Sequence, residues 1–220
     1  MSTAAESKPR RKYDNSRRRA DAEARQRSII EAATDLFVEQ GFGPTTIDQI
    51  AAAADVSAQT IYATYGSKAA VLFRAIEIAV AGDYEEAPLM DFAPDLAELS
   101  EHRSQFAAAA HFVREMHDRV AALMRVMEGA ASADPSLEER RTDLLRQIRS
   151  AVAVWISQIG SEALRPGLSE DQATDVAFTV QAPHLYSIYT ADLGWTPDQY
   201  EEWLAHALPR LLLRPELLTE

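Results

Sequence analysis

Residues 45–72 read TTIDQIAAAADVSAQTIYATYGSKAAVL, two short helical runs around a bend with the start of a longer helix behind them. Thr45 stands where an N-cap is needed, with Asp48 three positions on in a capping-box-like start. Ile47, Ile50, Ala51 and Ala54 follow the i, i+3, i+4, i+7 spacing of one apolar helix face. Asp55-Val56-Ser57 supplies the bend. Val56 is its apolar plug, Asp55 tolerates a left-handed backbone, and Ser57 caps a second helix over Ala58 to Thr64. A helix that short is marginal alone, below the roughly 12–15 residues an isolated helix needs. Its neighbours must hold it, which is how a helix-turn-helix offers the start of its second helix to the major groove.

Thr46, Ile50, Ala51, Ala54, Val56, Ser57, Ile61, Tyr62, Ser67, Lys68, Val71 and Leu72 carry a resemblance to the DNA-binding signature of the tetracycline-repressor (TetR) family of bacterial regulators. Asp55 departs from the family's usual glycine and Tyr65 from its usual phenylalanine. The first keeps a residue tolerant of the turn, and the second keeps the ring and adds a hydroxyl. The resemblance implies that Thr45 and Thr46 present hydroxyls and helix-start amides to phosphate. It also implies that Ser57, Gln59 and Thr60 face the groove, while Tyr62, Thr64 and Lys68 hold the DNA backbone, Lys68 as a point charge. Gln59 is the best base reader, since a Gln amide bonds adenine N6 and N7 together. Ala58 either meets a thymine methyl or is small for clearance.

The chain of 220 residues carries a formal charge of −12, which at first opposes a polyanionic partner. Its distribution reverses that impression. Up to Leu72 there are ten Lys/Arg and nine Asp/Glu; beyond it there are twelve against twenty-five. Phosphate repels the acidic part, so only one end of the molecule can approach a duplex. Residues 1–20 hold seven basic and two acidic side chains and are expected to be a disordered basic tail. Within it Arg17, Arg18 and Arg19 either reach phosphate or the minor groove, or simply aid solubility. With no cysteine, disulfides, cysteine nucleophiles and thiolate metal sites are excluded. No apolar run approaches the roughly 18 residues of a membrane span, and the polar N-terminus is not a secretory signal.

The periodicity is helical throughout, so the fold expected is all-α with roughly nine helices. A first helix runs from about Asp21 to Gln40, with Gly41 ending it and Phe42 folding back. Residues 21–66 make a three-helix helix-turn-helix DNA-binding domain, 67–82 a connecting helix, and 83–220 a helical ligand-binding and dimerisation domain. Asp83 to Pro94 reads as a linker or an irregular crossover. A helix from about Leu96 to Ala131 follows, with Phe106, Ala110, Val113, His117, Val120, Met124 and Met127 inward. Pro135 opens the next. Ser169 and Gln172 make a capping box for a helix through about Leu193, kinked at Pro183, whose ring frees the carbonyl of Thr179. Thr196-Pro197 starts the last helix.

One recognition helix spans only a few base pairs, too few for the roughly 10³–10⁷ preference of specific binders. A two-fold dimer reading a palindrome supplies more. The family forms its dimer through the last two helices, which implies an interface at Tyr200, Trp203, Leu204, Ala207, Leu208 and Leu211. It also places a small-molecule pocket inside the helical body. Polar and aromatic residues on inward faces are the candidates there: His117, Arg141, Trp155, His184, Tyr186 and Tyr189. The function so implied is a repressor released from a palindromic operator by a small molecule, cytoplasmic and nucleoid-associated. The alternative is a ligand-independent or partner-controlled DNA-binding protein, activator or architectural. No enzyme is expected: G-x-S-x-G, H-E-x-x-H, Walker and G-x-G-x-x-G sequences are all missing. His111 and Glu115 share a helix face but lack a third ligand in pattern, so neither metal nor cofactor is expected.

Overall fold

A computed structural model describes residues 15–82, 99, 101–131 and 134–218. Among these the chain is helical, without a strand; the only pairing is an isolated bridge between Leu164 and Leu213. Nine α-helices occur in the described residues: α1 (Asn15–Gln40), α2 (Ile47–Ala53), α3 (Ala58–Tyr65), α4 (Lys68–Ala81), α5 (His102–Ala131), α6 (Pro135–Ile159), α7 (Glu170–Val180), α8 (Pro183–Ser187) and α9 (Pro197–Leu212). A π-helical turn, Ile188–Asp192, continues α8. No helix of the described residues is long and apolar enough to cross a membrane. The expected linker at 83–94 lies outside them.

Several boundaries differ from the sequence reading. Helix α1 begins at Asn15, not Asp21, so residues 15–20 belong to a helix rather than a tail. No described side chain before Ile29 is buried, so this stretch shows no apolar periodicity; alanines and the Arg19–Glu23 pair at 2.8 Å support it instead. Helix α5 starts at His102, where the Gln105 amide donates to the Leu99 carbonyl at 2.8 Å. The helix expected to run through Leu193 is broken. Gln181 ends α7, Ala182 is extended, and Pro183 opens α8 at its first position. Proline there loses no helical hydrogen bond. The Thr179 carbonyl accepts from the Ala182 amide at 3.3 Å.

The buried side chains form two clusters. One joins Ile29, Ile30 and Phe37 of α1 with Ile50 and Ile61 of the short helices, and continues through Val71, Leu72 and Ile76 of α4 into Met124 and Met127 of α5 and Leu137 of α6. The other gathers the first half of α5 with the end of α6, α7, α8 and α9. Helix α5 crosses both. The first cluster shows why α2 and α3, too short alone, stay folded: each contributes its few aliphatics to a core closed by α4.

His117 of α5 is fully buried beside Tyr186 and Tyr200, with ring centroids 5.4 and 6.3 Å away. Burial pushes its pKa down from 6.5 to about 3, against a smaller opposing pull from Asp118. The unfolded chain therefore takes up a proton near pH 6.5 that the folded chain refuses until about pH 3. The stability tied to this residue is complete above pH 6.5 and is lost as pH falls through that window, at about 1.4 kcal/mol per pH unit. His117→Leu should flatten the acid limb of stability: between about pH 7.5 and pH 5 it should lose roughly 2 kcal/mol less than the parent in urea titrations. Equal losses in both proteins would mean that His117 protonates freely in the folded state.

Candidate nucleic-acid interface and internal cavity

The cap of α2 is Thr46, not Thr45. Its hydroxyl accepts from the Gln49 amide at 3.2 Å, and the Gln49 side chain accepts from the Thr46 amide at 2.8 Å, a complete capping box. Thr45 is fully buried. Its hydroxyl donates to the Gly41 carbonyl at 2.7 Å, with the Leu36 carbonyl at 3.3 Å, and ties the turn to the end of α1. A hydroxyl so placed does not present itself to phosphate; Thr46 beside it is exposed.

The bend matches its reading. Asp55 has φ of 54°, the left-handed position usually given to glycine, and Ser57 caps α3 by accepting from the Thr60 amide at 3.1 Å. Ile61 is the buried anchor of α3. Ser57, Gln59, Tyr62 and Thr64 are exposed on that helix, while Ala58 and Thr60 are half-buried. The Ser57 and Thr60 hydroxyls share a hydrogen bond of 2.8 Å, and the Thr64 hydroxyl donates back to the Thr60 carbonyl at 2.9 Å. Gln59 thus stands on the outer side of α3 with its amide in solvent, and Tyr62 keeps 55% of its surface exposed. Tyr65 packs against the core, where burial raises its pKa. Arg18 and Arg19 are exposed on α1, Arg19 paired with Glu23; of Arg17 only its backbone place in α1 is described.

Lys68 differs most from its expected role. Its ammonium donates to the carbonyls of Phe42 at 2.6 Å, Gly43 at 3.3 Å and Thr45 at 2.7 Å, and lies 4.2 Å from the centre of the Phe42 ring. All three N–H donors are engaged within the protein, and desolvation lowers its pKa. The point charge expected to meet phosphate instead clamps the first residue of α4 to the turn that leads into α2.

A cavity lies within the body. It is walled by Phe112, Met116, His117 and Met124 of α5, by Leu144, Ile148 and Trp155 of α6, and by Phe178, Gln181 and Pro183 at the α7–α8 break. Val80 of α4 also borders it. Its interior offers about 80 Å³ to the centre of a water-sized sphere, several times the roughly 10–15 Å³ that one water requires. Of the six candidates for this pocket, His117 and Trp155 line it and four do not. Arg141 is paired with Glu138 at 2.7 Å and His184 is exposed. The Tyr186 hydroxyl donates to Asp118, and the Tyr189 ring packs at a tilt against Trp195 and Trp203, with centroids 4.5 and 4.7 Å away. Gln181 went unrecognised because the break that turns it inward carries no local signal beyond Pro183, whose kink the sequence did show.

Helix α9 splits the expected dimer set. Tyr200, Leu204 and Leu208 are buried within this chain against α5 and α7, so they do not meet a partner. Trp203 and Ala207 are half-buried and Leu211 is 40% exposed. Nearby, Arg114 donates to Glu201 at 2.9 Å and to Asp118 at 3.0 Å, and His111 lies 3.1 Å from Glu201 and 3.6 Å from Glu115. This network pins α5 to α9. Among the described residues no group of three or more His, Asp or Glu is arranged to hold a metal ion.

A capped helix pair across a tight bend, with a polar recognition helix facing solvent and an acidic helical body behind it, defines a helix-turn-helix regulator. Residues 29–75 match the family model for bacterial regulatory proteins, tetR family. The chain carries, over these residues, the DNA-binding domain of the TetR-family transcriptional regulators. It is 28% identical over 158 residues to the HTH-type transcriptional regulator YdeS of Bacillus subtilis (strain 168), covering 71% of this chain and 75% of that one. Two solved structures share the fold at TM-score 0.68. One is NalD, the secondary repressor of the MexAB-OprM multidrug efflux pump in Pseudomonas aeruginosa, 18% identical over 89% of this chain and 100% of its own. The other is a SmeT–triclosan complex, 16% identical over 90% and 98%.

Two substitutions separate the roles within this head. Lys68→Met should lower stability by about 1–3 kcal/mol through three orphaned carbonyls and leave the slope of DNA affinity against salt unchanged. A slope reduced by about one with no loss of stability would make Lys68 a phosphate contact. Gln59→Ala should relax base preference in a binding-site selection without destabilising the fold; uniform weakening on all sequences would count against base reading by Gln59.

Proposed function

We propose that this protein is a ligand-responsive repressor that binds a palindromic operator as a homodimer and releases it when a small molecule fills the body cavity. The observation that carries the reading is that one helix touches both sites. Val80, near the end of α4, borders the cavity, and Lys68, its first residue, is clamped to the turn before α2. A molecule that shifts the far end of α4 therefore moves the reading head. Two proteins of this fold support the reading: SmeT forms a complex with the small molecule triclosan, and NalD is a repressor. Switching from 99:1 to 1:99 requires about 5.5 kcal/mol of differential affinity.

In this reading Thr46, Ser57, Gln59 and Thr60, with Tyr62 and Thr64, make the DNA surface of each protomer, and Arg18 and Arg19 of α1 add charge to it. The dimer forms through the outward stripe of α9, at Trp203, Ala207 and Leu211, which lies beside the inward stripe of Tyr200, Leu204 and Leu208. Successive members of each stripe are four positions apart, so each stripe stays on one side of the helix.

The protein should elute at twice its 24.3 kDa chain mass and bind one palindromic segment in the DNA flanking its own gene. The double variant Trp203→Glu, Leu211→Glu should elute as a folded monomer, with operator affinity down by at least about tenfold in anisotropy titrations. A variant that stays dimeric would place the interface elsewhere. Operator binding unaffected by every compound in a screen, even those that raise the melting temperature, would favour the ligand-independent alternative.

A further inference from the structure

Three side chains that line the cavity carry buried polar groups that have no hydrogen-bond partner among the described residues. These groups are the two ring nitrogens of His117, the indole N–H of Trp155 and the amide oxygen of Gln181. His117 is fully buried and Gln181 is 7% exposed. A buried polar group without a partner is destabilising, and native interiors leave few of them. Three such side chains on the wall of one cavity are a concentration that packing does not explain.

Their chemistry is specific. The indole N–H only donates and the Gln181 oxygen only accepts. Burial keeps the His117 ring neutral, so it offers one donor and one acceptor. The remaining wall is apolar and adaptable: Phe112 meets Trp155 edge-on at 5.9 Å, and Met116 and Met124 supply flexible thioethers. Among the described residues no Lys, Arg, Asp or Glu lines the cavity. A carboxylate or ammonium carried inside would lose its hydration with no opposite charge to replace it.

Building on the regulatory reading above, we infer that the cavity takes a neutral, largely apolar molecule with one hydroxyl- or amide-type group that both donates and accepts, held between Trp155, His117 and Gln181. A hydroxyl suits the set: its oxygen accepts from the Trp155 indole and from the protonated nitrogen of the neutral His117 ring, and its hydrogen is donated to Gln181. Anionic and cationic hydrophobes of the same size are rejected.

The test uses three probes of one shape, 4-butylphenol, 4-butylbenzoate and butylbenzene, titrated calorimetrically into the full chain. Butylphenol should bind at least about tenfold more tightly than the other two. Trp155→Phe, which keeps a ring and removes the N–H, and His117→Leu, which removes a destabilising polar group, should each weaken butylphenol about fivefold, the worth of one hydrogen bond near 1 kcal/mol. Both should leave butylbenzene within about twofold. Butylbenzoate binding as tightly as the phenol, butylbenzene matching it, variants without effect on the ranking, or no binding by any probe would each overturn the assignment. Release of operator DNA is read separately by anisotropy. The expected ranking without release would overturn the regulatory reading and leave the ligand chemistry standing. Release by probes that ignore the ranking would do the reverse.

Discussion

The ammonium of Lys68, bonded to the carbonyls of Phe42, Gly43 and Thr45, is the contact on which the placement of the reading head depends. A lysine at the first position of a helix opposes the helix dipole, so its presence there needs compensation. The compensation comes from the carbonyls of Phe42, Gly43 and Thr45 in the turn before α2, and from the negative charge of Asp134, the cap of α6. Thr45 holds the same turn from the opposite side by bonding to the end of α1. Two side chains thus set where α2 begins, and the capping box at Thr46 sets its direction. The recognition helix inherits its position from both.

The far end of α4 is held in the complementary way. Arg119 of α5 donates to the carbonyls of Ala79 at 3.0 Å and Val80 at 3.4 Å, in the last turn where helix carbonyls lack internal partners and a cation is favoured. Gly82 follows with φ of 58°, and the guanidinium of Arg119 comes within 3.1 Å of where a Cβ would sit. Glycine is therefore needed there for its backbone, while a Cβ would crowd the guanidinium by only a few tenths of an ångström. Helix α4 is a rod fixed to the head by one cation and to the body by another. Val80 carries both the carbonyl that Arg119 holds and the side chain that borders the cavity.

Much of the head was legible in the sequence because its signals are local. Ser57, Asp55 and the apolar quartet of α2 each act within one or two turns of chain. The failures have physical causes of the same scale. Two adjacent threonines are equivalent as caps until the fold buries one of them, and Thr45 is the one that α1 and the turn enclose. Lys68 resembled a surface charge because its three acceptors lie 23 to 26 residues away in sequence. In α9 the apolar arc was recognised but not divided, since the side that meets α5 and α7 is a tertiary fact. The cavity was least legible. An inward-facing helical period picked out His117 and Trp155, and it equally picked out Tyr186 and Tyr189, which pack into an aromatic cluster with Tyr200 and Trp203.

That cluster explains why the cavity stops where it does. Tyr186 meets Tyr200 edge-on at 4.9 Å, and both rings flank His117, sealing the side of the cavity that faces α9. The Tyr186 hydroxyl is held by Asp118, and Asp118 in turn by Arg114, which bonds Glu201. Polar groups on this outer side of α5 are satisfied in a chain running to α9, while those on the inner side, at His117, are not. One helix thus separates a saturated network from an unsaturated one about a turn of backbone apart. The saturated network fixes α5 against α9, and the unsaturated one lies on the wall shared with α6 and the α7–α8 break.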